Sequence, residues 1–213
     1  MMWYFSLALG IDESMVPYYG RRSSKIFIRG KPICMGYKVW MFCGRDGYPY
    51  HLNIHQGKES ASERAPHRER VVTRMVDDGH CQLLMCVKHH EMYFDNFFTS
   101  YDTSKKLSDL NVRATGTVRL NHTGSTFEFL TSNKELMKLR RNSYDCSCDG
   151  KVYIVRWHDN AVVTVASNCW QTYRRLHTVN QQVAFERKDV KHTRFIQAYN
   201  SGMGDTYCCS TSC

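Results

Sequence analysis

A chain of 213 residues is long enough for one large or two small domains. Its 42% hydrophobic and 13% aromatic content supplies a packed core and argues against global disorder. A net charge of +9 favours polyanionic partners, nucleic acid first and acidic membrane surfaces second. No stretch reaches the roughly 18 apolar residues of a membrane span, so no membrane insertion is expected, and nucleic acid rather than a membrane is the expected partner. The ten cysteines are scattered without the spacing of a small disulfide scaffold, which points to thiols in a reducing compartment.

Residues 3–12 read as a strand ending at Asp12; the apolar start is short and meets the acidic pair Asp12-Glu13 at once, unlike a signal peptide. Pro17, Gly20 and the run Arg21-Arg22-Ser23-Ser24 mark a loop. Lys25–Arg29 reads as a short strand. Tyr37–Cys43 and Tyr48–His55 read as strands joined by the turn signal Arg45-Asp46-Gly47. His51 and His55 alternate onto one side of that second strand and read as structural. Val71, Val72, Met75 and Val76 recur at helical spacing, so a helix is expected over 62–78, with a solvated basic face. Asp77-Asp78-Gly79 ends it, and Gln82–Lys88 is an apolar run.

The stretch Met92–Tyr101 places Asp95 and Asn96 between bulky apolar residues and reads as a buried strand. A carboxylate there is costly unless a cation, backbone donors or a metal ion compensates it. A purely structural role is open as well: Asp95 as the cap of a helix over Leu107–Leu110. His89-His90-Glu91 reads as a solvated loop rather than a metal site. Val112–Leu120 reads as the next strand and Lys134–Arg141 as a short basic helix. Asn121–Gly124 and Cys146–Gly150 read as loops. Residues 151–157 and 161–167 flank His158-Asp159-Asn160 as a β-hairpin. Neither Cys146-x-Cys148 nor Cys208, Cys209 and Cys213 has zinc-site spacing.

Six segments, in order, resemble the transposase domain of piggyBac transposons and piggyBac-derived proteins. They are Ile11–Arg22 (IDESMVPYYGRR), Lys31–Trp40 (KPICMGYKVW), Phe94–Ser100 (FDNFFTS), Asn111–Arg119 (NVRATGTVR), Trp157–Asn168 (WHDNAVVTVASN) and Tyr199–Gly204 (YNSGMG). The resemblance implies an α/β, ribonuclease H-like (DDE/D transposase) core over 1–120, an inserted β-rich subdomain over 121–190, and the start of a third-aspartate motif over 191–213. It implies DNA cut-and-paste chemistry in which three aspartates hold two Mg²⁺ ions. Carried over by position, these are Asp12, Asp95 and Asp205. Carboxylate oxygens suit Mg²⁺. Two such ions can activate an attacking hydroxyl and neutralise a leaving oxygen. Arg21, Arg22, Lys25 and Arg29 lie beside Asp12 in sequence and are candidate phosphate contacts. The resemblance further implies transposon ends and TTAA target DNA as partners, a homodimer, and a nuclear location.

The third position departs from the family pattern. Without a gap, the family's aspartate falls on Tyr207, a poor Mg²⁺ ligand at neutral pH. A two-residue deletion puts Asp205 there instead. The Ser/Thr/Cys-rich tail favours a third reading, a damaged or truncated end. Three functional readings therefore stay open: a Mg²⁺-dependent transposase core, a catalytically dead DNA-binding remnant, and a protein-interaction remnant.

Overall fold

The computed structural model describes residues 8–44, 47–55, 57, 66–77, 91–123, 129–169, 176–183 and 186–204. The chain divides into two units, Met1–Phe94 with Gly202–Cys213, and Asp95–Ser201. The expected runs at 3–7 and 82–88, and the Arg45-Asp46 turn residues, lie outside the described residues.

The first unit carries β1 (Ala8–Pro17), β2 (Ile26–Phe27), β3 (Met35–Gly44), β4 (Pro49–Ile54), α1 (His67–Asp77) and β5 (Glu91–Phe94). Its strands follow the order β2-β3-β1-β5, and β4 also pairs with β3. β1 runs antiparallel to β3 from Leu9↔Gly44 to Pro17↔Gly36. On its other edge it runs parallel to β5, from Ala8↔Glu91 to Ile11↔Phe94. The sequence expectation ended β1 at Asp12. The strand continues to Pro17 because β3 supplies partners for six more residues, Asp12 to Pro17, after β5 has stopped.

Side chains alternate across a strand. One face of this sheet therefore carries Ile11, Glu13, Lys38, Trp40, Phe42 and His55. The other carries Gly10, Asp12, Ser14, Val39, Met41 and Cys43. Trp40, Phe42 and Ile11 are buried, as are Val71, Val72, Met75 and Val76 on the apolar stripe of α1. Val39, Met41 and Cys43 form a separate buried cluster on the opposite face. The hairpin between β3 and β4 closes as expected: Gly44 N donates to Tyr48 O at 3.0 Å, and Gly47 takes a φ of 77°, open to glycine at little cost.

The second unit carries α2 (Tyr101–Asp109), β6 (Arg113–Thr117), the single turn α3 (Asn133–Leu136), β7 (Tyr144–Cys148), β8 (Tyr153–His158) and β9 (Val162–Ser167). β10 (Leu176–Val183) and β11 (Glu186–Thr193) pair with each other, and α4 spans Arg194–Gly204. The order here is β6-β9-β8-β7, all antiparallel. The 153–167 hairpin is present as expected. Val118, Leu130, Val152, Ile154 and Ala166 make one buried cluster, and Val155, Trp157, Val165 and Ile196 make another.

Two local expectations fail for identifiable reasons. The expected loop at 146–150 begins inside β7, whose alternating exposure carries almost no apolar signal. Polar contacts anchor it instead. Asp145 lies opposite Arg156 and accepts from Thr131 N and Thr131 Oγ1, both at 2.7 Å. The buried Arg156 donates to Leu130 O at 3.1 Å and Thr131 O at 2.7 Å. The expected helix over 134–141 shrinks to one turn. Ser132 and Glu135 form a complete capping box, but Met137 and Leu139 are exposed, so no apolar stripe extends it.

Gly36 lets β3 lie close against β1: a Cβ there would lie 2.0 Å from Val16 O. Gly36→Ala is expected to destabilise the protein by about 2 kcal/mol or more, because backbone rather than a movable side chain must yield. Gly30→Ala meets no atom within 4 Å and bears only its φ of +89°, about 1–2 kcal/mol. Urea unfolding midpoints of the two variants rank these effects.

Candidate functional site

Asp12 sits within β1, opposite Met41 of β3, and is only 7% exposed. Its Oδ1 accepts from Glu13 N at 2.7 Å. Ile11↔Phe94 is the final matched pair of the parallel ladder. Asp12 follows one member of that pair in the chain, and Asp95 follows the other.

Asp95 does not lie in a strand. β5 stops at Phe94, and Asn96–Phe98 turn. Asp95 Oδ1 accepts from Phe97 N at 3.0 Å and Phe98 N at 3.3 Å, and Asp95 O receives Thr99 N and Thr99 Oγ1. The capping role considered for Asp95 thus falls on its own turn. The helix that follows is capped by Ser100, whose Oγ accepts from Thr103 N at 3.1 Å, and it starts at Tyr101 rather than near Leu107.

Glu13 points to the opposite face from Asp12 and is gripped by two lysines. Lys31 Nζ is 2.9 Å from one carboxylate oxygen, and Lys38 Nζ holds the other closely. Burial would raise the Glu13 pKa, but hydrogen bonds and charge from Lys38 and Lys31 outweigh it and hold the carboxyl below its ordinary range. Lys38 also sits 4.0 Å above the centroid of the Trp40 ring. Sequence reasoning gave these lysines no role. The signal was available, because Lys31, Gly36, Lys38 and Trp40 all belong to one recognisable segment.

Of the four candidate phosphate contacts, Arg21, Arg22 and Arg29 are exposed and Lys25 is half-buried. All four lie in the loops around β2. Asp205 lies outside the described residues. Just before it, Gly202 is packed so closely on Tyr93 that a Cβ would lie 2.5 Å from the ring. Among the described residues, no three His, Cys, Asp or Glu side chains are grouped to hold a metal ion. Asp12 and Asp95 do supply the hard oxygen donors that Mg²⁺ takes. Among the described residues, Cys34, Cys43, Cys146, Cys148 and Cys169 are thiols. No described helix is long and apolar enough to cross a membrane.

A protein-family model described as Transposase IS4 matches residues 2–210. The chain belongs to that family, in its piggyBac branch. It is 38% identical over 207 residues to human PiggyBac transposable element-derived protein 3, covering 94% of this chain and 33% of that protein. It is 32% identical over 200 residues to human PiggyBac transposable element-derived protein 2, covering 90% of this chain and 32% of that one. This chain therefore spans about a third of the length of these relatives. Its fold is similar to that of a piggyBac transposase in a cryo-EM synaptic complex with hairpin DNA: TM-score 0.68, 20% identity, 99% of this chain and 42% of that one.

The piggyBac segments now have visible structural tasks. Arg119 Nη2 donates to Asn96 Oδ1 at 3.2 Å, tying the strand segment to the second-aspartate segment. Asn168 accepts from Ala114 N at 2.7 Å and donates to Val112 O at 2.8 Å, fixing the end of β9 to the start of β6. Ser167 Oγ and Thr115 Oγ1 are 2.8 Å apart. Asp159, in the hairpin turn, accepts from Arg141 Nε at 2.6 Å.

Lys38 has a 14% exposed side chain and Lys31 a 38% exposed one. Lys38→Met is expected to cost about 1–3 kcal/mol, since it leaves a half-buried carboxylate short of a partner. Lys31→Met should cost less than about 1 kcal/mol. Because the folded pKa of Glu13 is depressed, its stabilisation is fully present above the ordinary value of 4.5 and fades as pH falls through the lower folded value. Denaturant midpoints measured from pH 6 downward should show this acid limb in the wild type and a flatter one in Glu13→Gln.

Proposed function

We propose that this chain is the core of a DNA-binding, transposase-derived protein with a ribonuclease H-like fold, in which Asp12, Asp95 and Asp205 are the carboxylates of a two-ion Mg²⁺ site. The observation that carries the reading is the β1–β5 register, whose last matched pair is Ile11↔Phe94, each member of which is followed in the chain by an aspartate. The ribonuclease H-like assignment is supported by the order β4-β3-β1-β5, antiparallel except for the parallel β1–β5 step. Residues 121–190 are the insertion in this scheme. The inclusion of Asp205 is supported by the packing of Gly202 on Tyr93, two residues before Asp95. Mg²⁺ bound there would activate a hydroxyl nucleophile and offset charge on the leaving oxygen. Asp12 contributes from a rigid strand, while Asp95 is oriented by the backbone N–H groups of its turn. Arg21, Arg22, Lys25 and Arg29 take the DNA backbone, and a nuclear location and a homodimer follow from this reading.

The second reading, a DNA-binding remnant that no longer cuts, is favoured by one observation. Asp95 Oδ1 already serves two backbone donors, so the residue has a structural role without any ion. Plasmid nicking separates the two. The active core should nick supercoiled DNA with Mg²⁺ or Mn²⁺ and lose at least about a hundredfold in rate in each of Asp12→Ala, Asp95→Ala and Asp205→Ala. Binding without nicking selects the remnant. Under either reading, replacing Arg21 and Arg22 with Gln should weaken binding and reduce the slope of log K against log salt by about 1–2. Binding indifferent to salt would leave only the protein-interaction remnant.

A further inference from the structure

We propose that the cavity between β4 and α1 is a binding site for a single phosphate group. Trp40 of β3, Asn53 of β4, His55 just beyond it, and His67 and Arg74 of α1 line a cavity of about 140 Å³. The imidazoles of His55 and His67 meet edge to face with centroids 5.3 Å apart. The Trp40 ring lies 6.3 Å from one and 6.2 Å from the other, so indole and imidazoles hold one another in place. Trp40 is buried and has the Lys38 ammonium over its face.

The chemistry of the lining selects the ligand. Imidazole N–H, carboxamide NH₂ and guanidinium all donate hydrogen bonds, and among the described residues none that lines the cavity is acidic. Two imidazoles and a guanidinium converging on one space suit an oxyanion, and guanidinium forks match phosphate oxygens in particular. Size narrows the choice further. A water needs only about 10–15 Å³, whereas whole small molecules occupy pockets of about 300–1,000 Å³. This cavity accepts one group of a larger molecule, or a free anion, but not an entire nucleotide. Among the described residues, a transition-metal ion would find two imidazoles and no third ligand of its usual set. The phosphate can belong to a DNA backbone or to a free species. Only the DNA source rests on the function proposed above.

The test uses the full chain labelled with ¹³C-histidine, with His55→Gln and His67→Gln assigning the two ring signals. Inorganic phosphate should shift both signals saturably. Arg74→Gln, at an exposed position, should weaken that phosphate affinity at least about tenfold, as expected for one lost charge-assisted hydrogen bond. A duplex oligonucleotide that moves the same two signals, and is competed by phosphate, identifies the DNA backbone as the source. Duplex binding by anisotropy that leaves them unmoved, while phosphate moves them, identifies a free phosphate. Loss of DNA binding with phosphate shifts intact would sink the DNA reading alone. The site itself is overturned if phosphate and duplex both fail to move the two signals. It is equally overturned if the phosphate affinity is unchanged in Arg74→Gln, or if Zn²⁺ moves the signals and phosphate does not.

Discussion

β1 is paired along both edges, and the two pairings have different lengths. The parallel partner β5 ends at Phe94, whereas the antiparallel partner β3 continues to Gly36. Asp12 therefore sits where one neighbour stops and the other carries on. A strand bounded on both sides has no freedom to slip, because a one-residue shift would exchange its faces. Such a shift would bring Glu13 to the face of Val39, Met41 and Cys43, and would turn Ile11 away from Trp40 and Phe42. The close contact of Gly36 with Val16 O and the lysine grip on Glu13 both act on the far half of the strand, which β5 does not reach.

Polar side chains hold the framework at the points where apolar packing ends. In the first unit the Lys31–Glu13–Lys38 group joins β1 to β3 and to the loop before it. In the second unit Asn168 links β9 to β6, and Asp145, Thr131 and Arg156 fasten the segment before α3 to β7 and β8. Each of these groups is at least partly withdrawn from water, so an unmade bond there costs more than a made one adds. That asymmetry explains why substitutions at such residues act through the partner left behind. It also separates Asp12 from Glu13. They are neighbours in sequence on opposite faces of one strand, and the lysine pair serves the second while the first stays on the face of Val39, Met41 and Cys43.

Much of this architecture is legible in the amino-acid sequence. The β3–β4 hairpin, the 153–167 hairpin and the apolar stripe of α1 carry periodicities of two and of 3.6, which local sequence states directly. The piggyBac segments, read in order, place the chain in its family. Other features are illegible for physical reasons. β7 has alternating polar residues and is held by a buried arginine, so no hydrophobic pattern announces it. The helix after Asp95 starts at Tyr101 because Ser100 caps it, and the competing claims of Asp95, Thr99 and Ser100 are settled only by backbone geometry. The lysines of the Lys31–Trp40 segment are visible as letters, but their common partner lies across the β1–β3 pairing.

The sequence by itself determined the family, the alternation that makes β1, β3 and β4 strands, and the aspartates that belong to the recognised segments. Local chemistry suffices for those, since periodicity, turn residues and motif order are properties of neighbours along the chain. Tertiary structure alone decided where strands end, which acid meets which cation, and that His55 and His67 meet edge to face beside Trp40 at the lining of one cavity. Those outcomes depend on register between segments far apart in sequence. Register is set by the whole ladder of backbone hydrogen bonds and by the packing of both sheet faces, which no single segment encodes.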